Sequence, residues 1–324
     1  MKRSALWLRV ATGVGLLVWI VARSDFQSLT VVVGPRLVVG LSVAVGLVAA
    51  AQAFAALRWK VILGPEAPSW LYLYRLYLIG LFFSLFLPTS IGGDTVRAAA
   101  ASARKLGEAG FAVASVILDR VVGVFALLCY FVLGVALDRP TFQGLAAAVV
   151  WKTPTHRLLV LLGVTAVVGG ALVVLLTRRW KALRAVMDQG RRLTWAFATS
   201  PLVLVRAIVL GFLVQALYIL AWAALAMGLG WSLRPAFLLL AVPFVSLAAM
   251  APVTISGLGV REGAWVLLLR PLGIASLDAV AYGLLYFLSV MVVAGVGGVL
   301  FALRGIQTSD PVSPGPQHSP RVAT

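Results

Sequence analysis

Charged residues are scarce in this 324-residue sequence, and cysteine and histidine are nearly absent. Only 11% of the residues are charged, against about a quarter in soluble globular domains, which excludes a water-soluble fold. The single cysteine, Cys129, excludes a disulfide framework and a cysteine metal site. Two histidines, His156 and His318, are too few for a structural zinc site, so we expect no metal and no other cofactor.

Apolar residues are abundant instead. They make up 62% of the chain, and the mean hydropathy is +1.04, as in proteins that cross a bilayer several times. The formal net charge is +17, but the 27 basic residues lie mainly in short loops between apolar runs, where retention on the cytoplasmic side explains them. We therefore expect contact with a membrane and none with nucleic acid.

Six apolar runs are long enough to cross the hydrocarbon core, which takes about 20 helical residues. They are Ala5–Ala22, Leu37–Leu57, Phe111–Leu137, Leu158–Leu176, Leu202–Leu229 and Leu277–Leu303. Two further runs, Leu71–Leu87 and Arg234–Met250, each stop at a break rich in proline and glycine. A short helix follows each break, Thr95–Leu106 in the first half and Glu262–Leu269 in the second. A helix that enters the membrane, breaks and returns on the same side fits both places.

The two breaks carry the same motif. A shift of 164 residues places Pro88–Arg97 (PTSIGGDTVR) on Pro252–Arg261 (PVTISGLGVR), with Pro, Ile, Gly, Val and Arg in register. A duplicated break behind an apolar run, in corresponding positions of two halves, indicates a substrate site near the bilayer midplane in transporters built from repeats.

The predicted fold is an all-α polytopic membrane protein with an inverted repeat. A single transmembrane domain, 1–306, holds a first repeat at about 5–137 and a second at about 157–304, and 307–324 form a disordered cytoplasmic tail. Three full spans and one re-entrant hairpin in each repeat turn the second repeat upside down. With both termini in the cytoplasm, the six-cation loop Arg178–Arg192 is cytoplasmic too, as the positive-inside rule requires. Eight full spans are the alternative, because both shorter runs can cross if tilted.

Broken helices suit anion binding, because a helix N-terminus inside a membrane offers unpaired N–H groups and a partial positive charge. Glycine permits close approach, and arginine adds a planar donor fork that matches phosphate. Asp94 is expected to cap the first short helix, and Glu262 is a first-turn carboxylate in the second. The alternative is a tight turn with interfacial arginines. The candidate binding residues of the motifs are Gly92, Gly93, Asp94, Arg97, Gly257, Gly259, Arg261 and Glu262.

Asp119 and Arg120 complete the candidate site. They lie about two turns inside a span, where an unpaired charge costs at least about 2.5 to 3.5 kcal/mol, so both require partners. Asp119 can neutralise Arg97 or Arg261, and Arg120 can pair with Asp94 or Glu262. A structural network without substrate contact is equally open. The positions aligned with this pair in the second half are Leu285 and Tyr286, which predicts an asymmetric network.

Membrane anchoring is the first interpretation of Arg58, Trp59 and Lys60, which close a predicted span. Enzymatic chemistry is not expected: the sequence holds no G-x-x-x-x-G-K-[ST] loop, and two histidines at poor positions supply no catalytic triad.

Several motifs resemble the lysylphosphatidylglycerol synthase transmembrane-region family, the membrane half of the multiple peptide resistance factor. They are Pro88 with Ile91–Asp94 and Arg97, Leu118–Gly123, Arg58–Trp59 and Gly257–Gly263, and the likeness covers about residues 5–304. The resemblance implies a flippase-like translocator of phospholipid, or of a lipid-linked headgroup, in a prokaryotic cytoplasmic membrane. The aminoacyl-transfer domain of the family is absent here, so lysine transfer is not expected. Leu284–Phe287 also lacks the arginine expected in the last span of many relatives.

Three functions follow as hypotheses. The first is a translocase of an anionic lipid that carries phosphate, or of a polyprenyl-phosphate-linked headgroup, with a membrane lipid as its partner. The second is a membrane scaffold or regulator of a cell-envelope transferase encoded elsewhere. The third is an ion-coupled exporter of a small soluble anion. Homo-oligomers are compatible with all three.

Overall fold

The computed structural model describes residues 34–65, 67–86, 92–103, 109–152, 200–250 and 254–304, and these fold into helices without a strand. Two short 3₁₀ turns, Ile255–Gly257 and Arg270–Leu272, flank one of the helices. The α-helices of this part of the chain are α1 (Pro35–Leu63), α2 (Trp70–Phe86), α3 (Gly92–Ala103), α4 (Ala109–Leu137), α5 (Arg139–Lys152), α6 (Pro201–Gly228), α7 (Pro235–Ala249), α8 (Val260–Leu269) and α9 (Ser276–Arg304).

Four of these helices, α1, α4, α6 and α9, are long and apolar enough to span a bilayer, with mean hydropathies of 2.2 to 2.3 over their most apolar windows. The prediction of an all-α polytopic membrane protein is confirmed. The predicted spans Ala5–Ala22 and Leu158–Leu176 lie outside the described residues, as do the loop Arg178–Arg192 and the predicted tail. The number of crossings therefore stays a prediction.

Proline and glycine set several helix ends. Pro35, Pro201 and Pro235 occupy the first turns of α1, α6 and α7, where a missing N–H costs no helical hydrogen bond. Gly64 ends α1 with φ of 83° and donates its N–H to the Lys60 carbonyl. Since α1 continues six residues past the predicted end at Leu57, the polar residues near its end are helical. The helix α5, which the sequence did not predict, occupies most of the segment after Asp138 that was expected to be a loop.

The helices recur in the same order in the two halves, with α1 to α4 corresponding to α6 to α9. The equivalent helices α1 and α6 pack directly against each other. A Cβ added at Gly40, near the start of α1, would lie 2.7 Å from the Ala224 oxygen and 2.9 Å from Gly228 Cα, near the end of α6. Further along α1, Gln52 hydrogen-bonds Tyr218, which lies further back along α6. The two helices are therefore antiparallel, the arrangement that an inverted repeat requires.

Helices of one half pack against helices of the other half. The last long helix of each half lies against the second helix of the other half, and glycine lets the backbones touch. In one place a Cβ at Gly297 of α9 would overlap the Leu78 carbonyl group of α2. In the other, a Cβ at Gly134 of α4 would overlap the Leu240 backbone of α7. Small residues at such contacts are typical of helix packing in membranes. This packing brings the two broken segments to the same region.

Candidate functional site

A cavity of about 520 Å³ lies where the two motifs meet. The first motif contributes Gly93, Asp94 and Arg97 to its lining, and the second contributes Gly257 and Arg261. The structure thus brings together residues that stand 164 positions apart in the sequence. Residues 87–91 and 251–253, which include the two motif prolines, lie outside the described residues.

Ser84, near the end of α2, connects the two motifs. Its Oγ accepts the Gly93 N–H at 3.2 Å, and its carbonyl oxygen accepts the Ser256 hydroxyl at 3.1 Å. Gly92 begins α3 immediately before this contact. One residue therefore hydrogen-bonds both the start of α3 and the 3₁₀ turn that precedes α8.

Asp119 is the centre of the ionic network in the first half. The residue is 1% exposed, and its carboxylate accepts three hydrogen bonds: from Arg58 Nε at 2.7 Å, from Arg97 Nη2 at 3.0 Å and from the Tyr77 hydroxyl at 2.5 Å. Three donors compensate the desolvation of one buried carboxylate. The predicted Asp119–Arg97 pair is present, whereas the role of Tyr77 has no signal in the sequence.

Arg97 has both ionic and aromatic contacts. Besides Asp119, its Nη1 contacts Asp94 Oδ1 at 3.3 Å, and its guanidinium carbon lies 3.9 Å from the Tyr77 ring centre and 4.4 Å from that of Trp59. Cation–π contacts in a desolvated site are worth up to about 2 kcal/mol each. The orientation of this guanidinium is therefore fixed by its surroundings.

Asp94 is not the helix cap that we expected. The helix α3 begins two residues earlier, at Gly92, so Asp94 lies within the first turn. Its carboxylate bridges Arg97 and Arg120, with Arg120 Nε at 2.8 Å from Oδ2. The predicted pairing of Arg120 with Asp94 is present. A first-turn carboxylate still benefits from the helix dipole, and here it also joins α3 to α4.

The buried carboxylate of the second half, Glu262, is compensated by different partners from those of Asp119. Glu262 is fully buried, and its two oxygens accept the Gly259 N–H at 2.6 Å and Arg261 Nε at 3.0 Å. Gly259, with φ of 83°, and Glu262 thus close the N-terminus of α8 behind the cavity and do not line it. At the position aligned with Arg120, Tyr286 stacks on Trp222 at 4.1 Å. The network is asymmetric, as the alignment predicts.

Arg58 and Trp59 are not the interfacial anchors that the sequence suggested. Arg58 is 6% exposed and lines the cavity, and Trp59 is fully buried with its indole N–H directed at Ser115 Oγ, 3.2 Å away. The sequence did contain an indication of this burial. Apolar residues continue to Leu63, which places Arg58 and Trp59 inside a helix and not at its end.

Four buried polar atoms around the cavity have no hydrogen-bond partner among the described residues. Arg261 Nη2 is one of them: it lies 3.0 Å from Glu262 Oε1, but outside hydrogen-bonding geometry. All four belong to residues that line the cavity and that are at most 8% exposed. Buried donors normally have partners, so four unpaired donors on residues that line one cavity make this region a candidate binding site for an acceptor-rich group. They are Arg58 Nη1, Arg97 Nε, Thr254 Oγ1 and Arg261 Nη2.

Thr254 is a site residue that the sequence reasoning missed. It aligns with Ser90 when the motifs are superposed with the 164-residue shift, so a hydroxyl recurs at this position in both motifs. That recurrence was the available indication. Its side chain is buried beside the cavity, only three residues before Gly257.

The motif glycines Gly93 and Gly257 have no room for a side chain. A Cβ at Gly93 would overlap the Gly80 carbonyl oxygen, and one at Gly257, whose φ is 71°, would lie 2.7 Å from Ala249 Cβ. We expect Gly93→Ala and Gly257→Ala each to destabilise the fold. At Gly257 the left-handed backbone adds a strain of about 1 to 2 kcal/mol to the steric overlap. Thermal unfolding in detergent micelles measures the effect.

Gly46 and Gly295 are matched controls for this comparison. Both lie in apolar spans, and a Cβ would meet no described atom within 4 Å. Alanine should stabilise these sites slightly, because helix-interior glycine is about 1 kcal/mol less favourable than alanine. Equal changes at all four positions would show that the motif glycines have no special packing role.

Comparison with known protein families matches residues 6–298 to the lysylphosphatidylglycerol synthase TM region. Searches of curated proteins and of solved structures give no significant match. The matched segment includes both motifs, Asp119, Arg120 and every residue that lines the cavity. The chain therefore belongs to the lysylphosphatidylglycerol synthase transmembrane-region family.

Proposed function

We propose that this protein is a flippase-like lipid translocase that handles an anionic lipid carrying phosphate, either a phospholipid or a polyprenyl-phosphate-linked headgroup. The observation that carries the proposal is that arginines of both halves of the described chain line one cavity, and that buried donors on these lining residues have no hydrogen-bond partner among the described residues. Arginine forks and a threonine hydroxyl are donors that suit phosphate oxygens. In this proposal the chain binds and moves its substrate without chemical change.

The charge of the cavity supports an anionic substrate. Four guanidinium groups and two carboxylates of the described residues line it: Arg58, Arg97, Arg120, Arg261, Asp94 and Asp119. This lining carries a net formal charge of +2, and Glu262, paired with Arg261 behind the cavity, reduces the net charge of the region to +1. Positive charge inside a membrane is costly without a counter-charge, so an entering phosphate gains more there than it would in water.

The position of Arg120 supports a lipid over a soluble anion. Arg120 lies eleven positions after Ala109, which places it about 16 Å along a helix of about 43 Å. Its side chain is 49% exposed, and its neighbours on the outer surface of α4, Ile117 and Val121, are 55% and 57% exposed. The ionic lining of the cavity thus reaches an apolar outer surface at the Asp94–Arg120 pair. A headgroup can enter from the side there while its acyl chains stay in lipid.

The shorter helices support two re-entrant hairpins. At 1.5 Å per residue, the described part of α2 is about 25 Å long and α7 is about 22 Å long, less than the hydrocarbon core of about 30 Å. In the proposed arrangement, α2–α3 and α7–α8 enter from opposite sides and place their breaks near the midplane. Non-helical backbone at that depth is tolerated where it lines a cavity.

The proposed orientation places both termini in the cytoplasm of a prokaryotic cell, with the protein in its cytoplasmic membrane. Cysteine introduced at Gln143, in α5, should react with a membrane-impermeant maleimide from outside, whereas cysteine at Gln189 should not. The single native cysteine, Cys129, is replaced by alanine first. Labelling of both positions from the same side would contradict the inverted topology.

Reconstitution into liposomes tests the proposed activity. Purified protein is incorporated into vesicles that contain acyl-labelled phosphatidylglycerol, and a membrane-impermeant quencher reports the rate at which label changes leaflet. We expect protein-dependent movement of the anionic lipid. Vesicles loaded with labelled inorganic phosphate test the exporter alternative in parallel. Movement of neither substrate would favour the scaffold hypothesis over both transport hypotheses.

A further inference from the structure

One wall of the cavity is polar but uncharged. Gln52 of α1 and Gln215 and Tyr218 of α6 form this neutral wall, and all three line the cavity. The Gln52 amide donates to the Tyr218 hydroxyl oxygen at 2.9 Å, and the Gln215 amide donates to the Gly123 carbonyl at 3.1 Å. Gln215 and Tyr218 are three residues apart and share a face of α6. Because the Tyr218 oxygen accepts, its proton is available for donation into the cavity.

Carboxylates of the described lining are already occupied by arginines. Asp119 is held by Arg58 and Arg97, and Asp94 by Arg97 and Arg120. Glu262 lies behind the cavity with both oxygens engaged. A cationic headgroup would have to displace a guanidinium from one of these carboxylates and would enter a lining with a net positive charge.

Three aromatic rings of the lining offer a cation little compensation. The Tyr77 ring already stacks with Arg97, the Tyr286 ring is stacked on Trp222, and the Phe287 ring lies 5.2 Å from the Arg261 guanidinium carbon. Each of these lining rings has a partner on one of its faces. The remaining donors and acceptors of the neutral wall match hydroxyl groups, which both donate and accept hydrogen bonds.

We propose that the neutral wall selects an anionic lipid whose headgroup is uncharged and bears hydroxyl groups, and that the cavity excludes a cationic aminoacyl headgroup. This inference rests on the proposed lipid translocation and specifies its substrate. It separates this chain from the lysylated lipid in the name of its family. Selection against the cation arises from unfavourable charge as well as from lost hydrogen bonds.

A carboxylate placed in the neutral wall should relax this selection. In Gln52→Glu, the new carboxylate can accept the Tyr218 proton, so the contact between α1 and α6 is kept with its direction reversed. Proteoliposomes containing acyl-labelled phosphatidylglycerol or its acyl-labelled lysyl ester are compared for leaflet exchange. We expect the wild-type protein to prefer the anionic lipid, and Gln52→Glu to reduce the ratio of the two rates about tenfold, equivalent to about 1.4 kcal/mol of differential binding.

Gln143→Glu is the matched control, because it makes the same chemical change at an exposed position of α5. Its ratio should equal that of the wild type. Gln52→Leu should slow the anionic lipid without admitting the lysyl ester. The inference would be overturned if the wild-type protein moved the lysyl ester as fast as the anionic lipid or faster. It would also be overturned if a folded Gln52→Glu protein had the same rate ratio as the wild type. Either result would leave translocation intact. Absence of exchange for both lipids would overturn phospholipid translocation and this inference with it.

Discussion

Asp119→Asn should lower the free energy of unfolding by about 3 to 5 kcal/mol, the cost of leaving one side of a buried ion pair uncompensated. The asparagine keeps the shape of the side chain but leaves Arg58 and Arg97 without their shared carboxylate. Both guanidinium groups are at most 7% exposed, so water cannot replace the lost charge without rearrangement. Thermal unfolding of the purified protein in detergent, followed by circular dichroism, measures the loss.

Asp138→Asn is the control for burial of the carboxylate. Asp138 is as buried as Asp119, at 1%, but its ionic partner Arg234 is 65% exposed and 3.4 Å away. An arginine in contact with water loses little when its partner is neutralised, typically about 0 to 1 kcal/mol. Comparable losses in the two variants would mean that carboxylate burial, and not the arginine cluster, determines the cost.

Arg261→Ala should slow transport strongly, and it should also lower stability, because the fully buried Glu262 loses its paired guanidinium. The substitution removes a charge-assisted contact to phosphate worth about 1.5 to 3 kcal/mol, which corresponds to a loss of at least about tenfold in rate. Arg261→Lys should recover part of the rate, because it keeps the charge but loses the planar fork. Initial rates of leaflet exchange in proteoliposomes, normalised to the amount of folded protein, provide the measurement.

Arg270→Ala controls for loss of a guanidinium near the same helix. Arg270 is exposed and follows the end of α8, outside the cavity lining. Normal transport by Arg261→Ala would show that Arg261 only anchors the protein in the membrane and that the motif of the second half does not bind the substrate. We expect Arg97→Ala to slow transport as well, with a larger loss of stability, because two carboxylates, Asp94 and Asp119, depend on that guanidinium.

Much of this arrangement can be predicted from sequence, because it follows from local patterns. Long apolar runs predict α1, α4, α6 and α9, and the cost of burying a charge predicts partners for Asp119 and Arg120. The shift of 164 residues pairs Gly93 with Gly257, and both glycines line the same cavity. Each of these inferences depends on composition or on spacing along the chain, which the sequence contains.

The remaining features depend on where side chains point after helices have packed. The predicted span ends one residue before Arg58, which would place this arginine at the membrane surface, whereas the helix continues and buries it. A cap is the local expectation for Asp94, but its carboxylate has stronger partners in Arg97 and Arg120. Thr254 belongs to the site because packing buries its hydroxyl without a partner among the described residues. None of these outcomes follows from local propensity.

The contact between α1 and α6 has a consequence for biogenesis. Ala44, Val48 and Ala51 on α1 are fully buried, and Gly40 allows the backbones of the two helices to touch. A ribosome completes α1 roughly 140 residues before it begins α6. During that interval the face of α1 that packs against α6 has no partner from the second half of the chain. The packing of α1 is therefore completed only after the second half of the chain has been made.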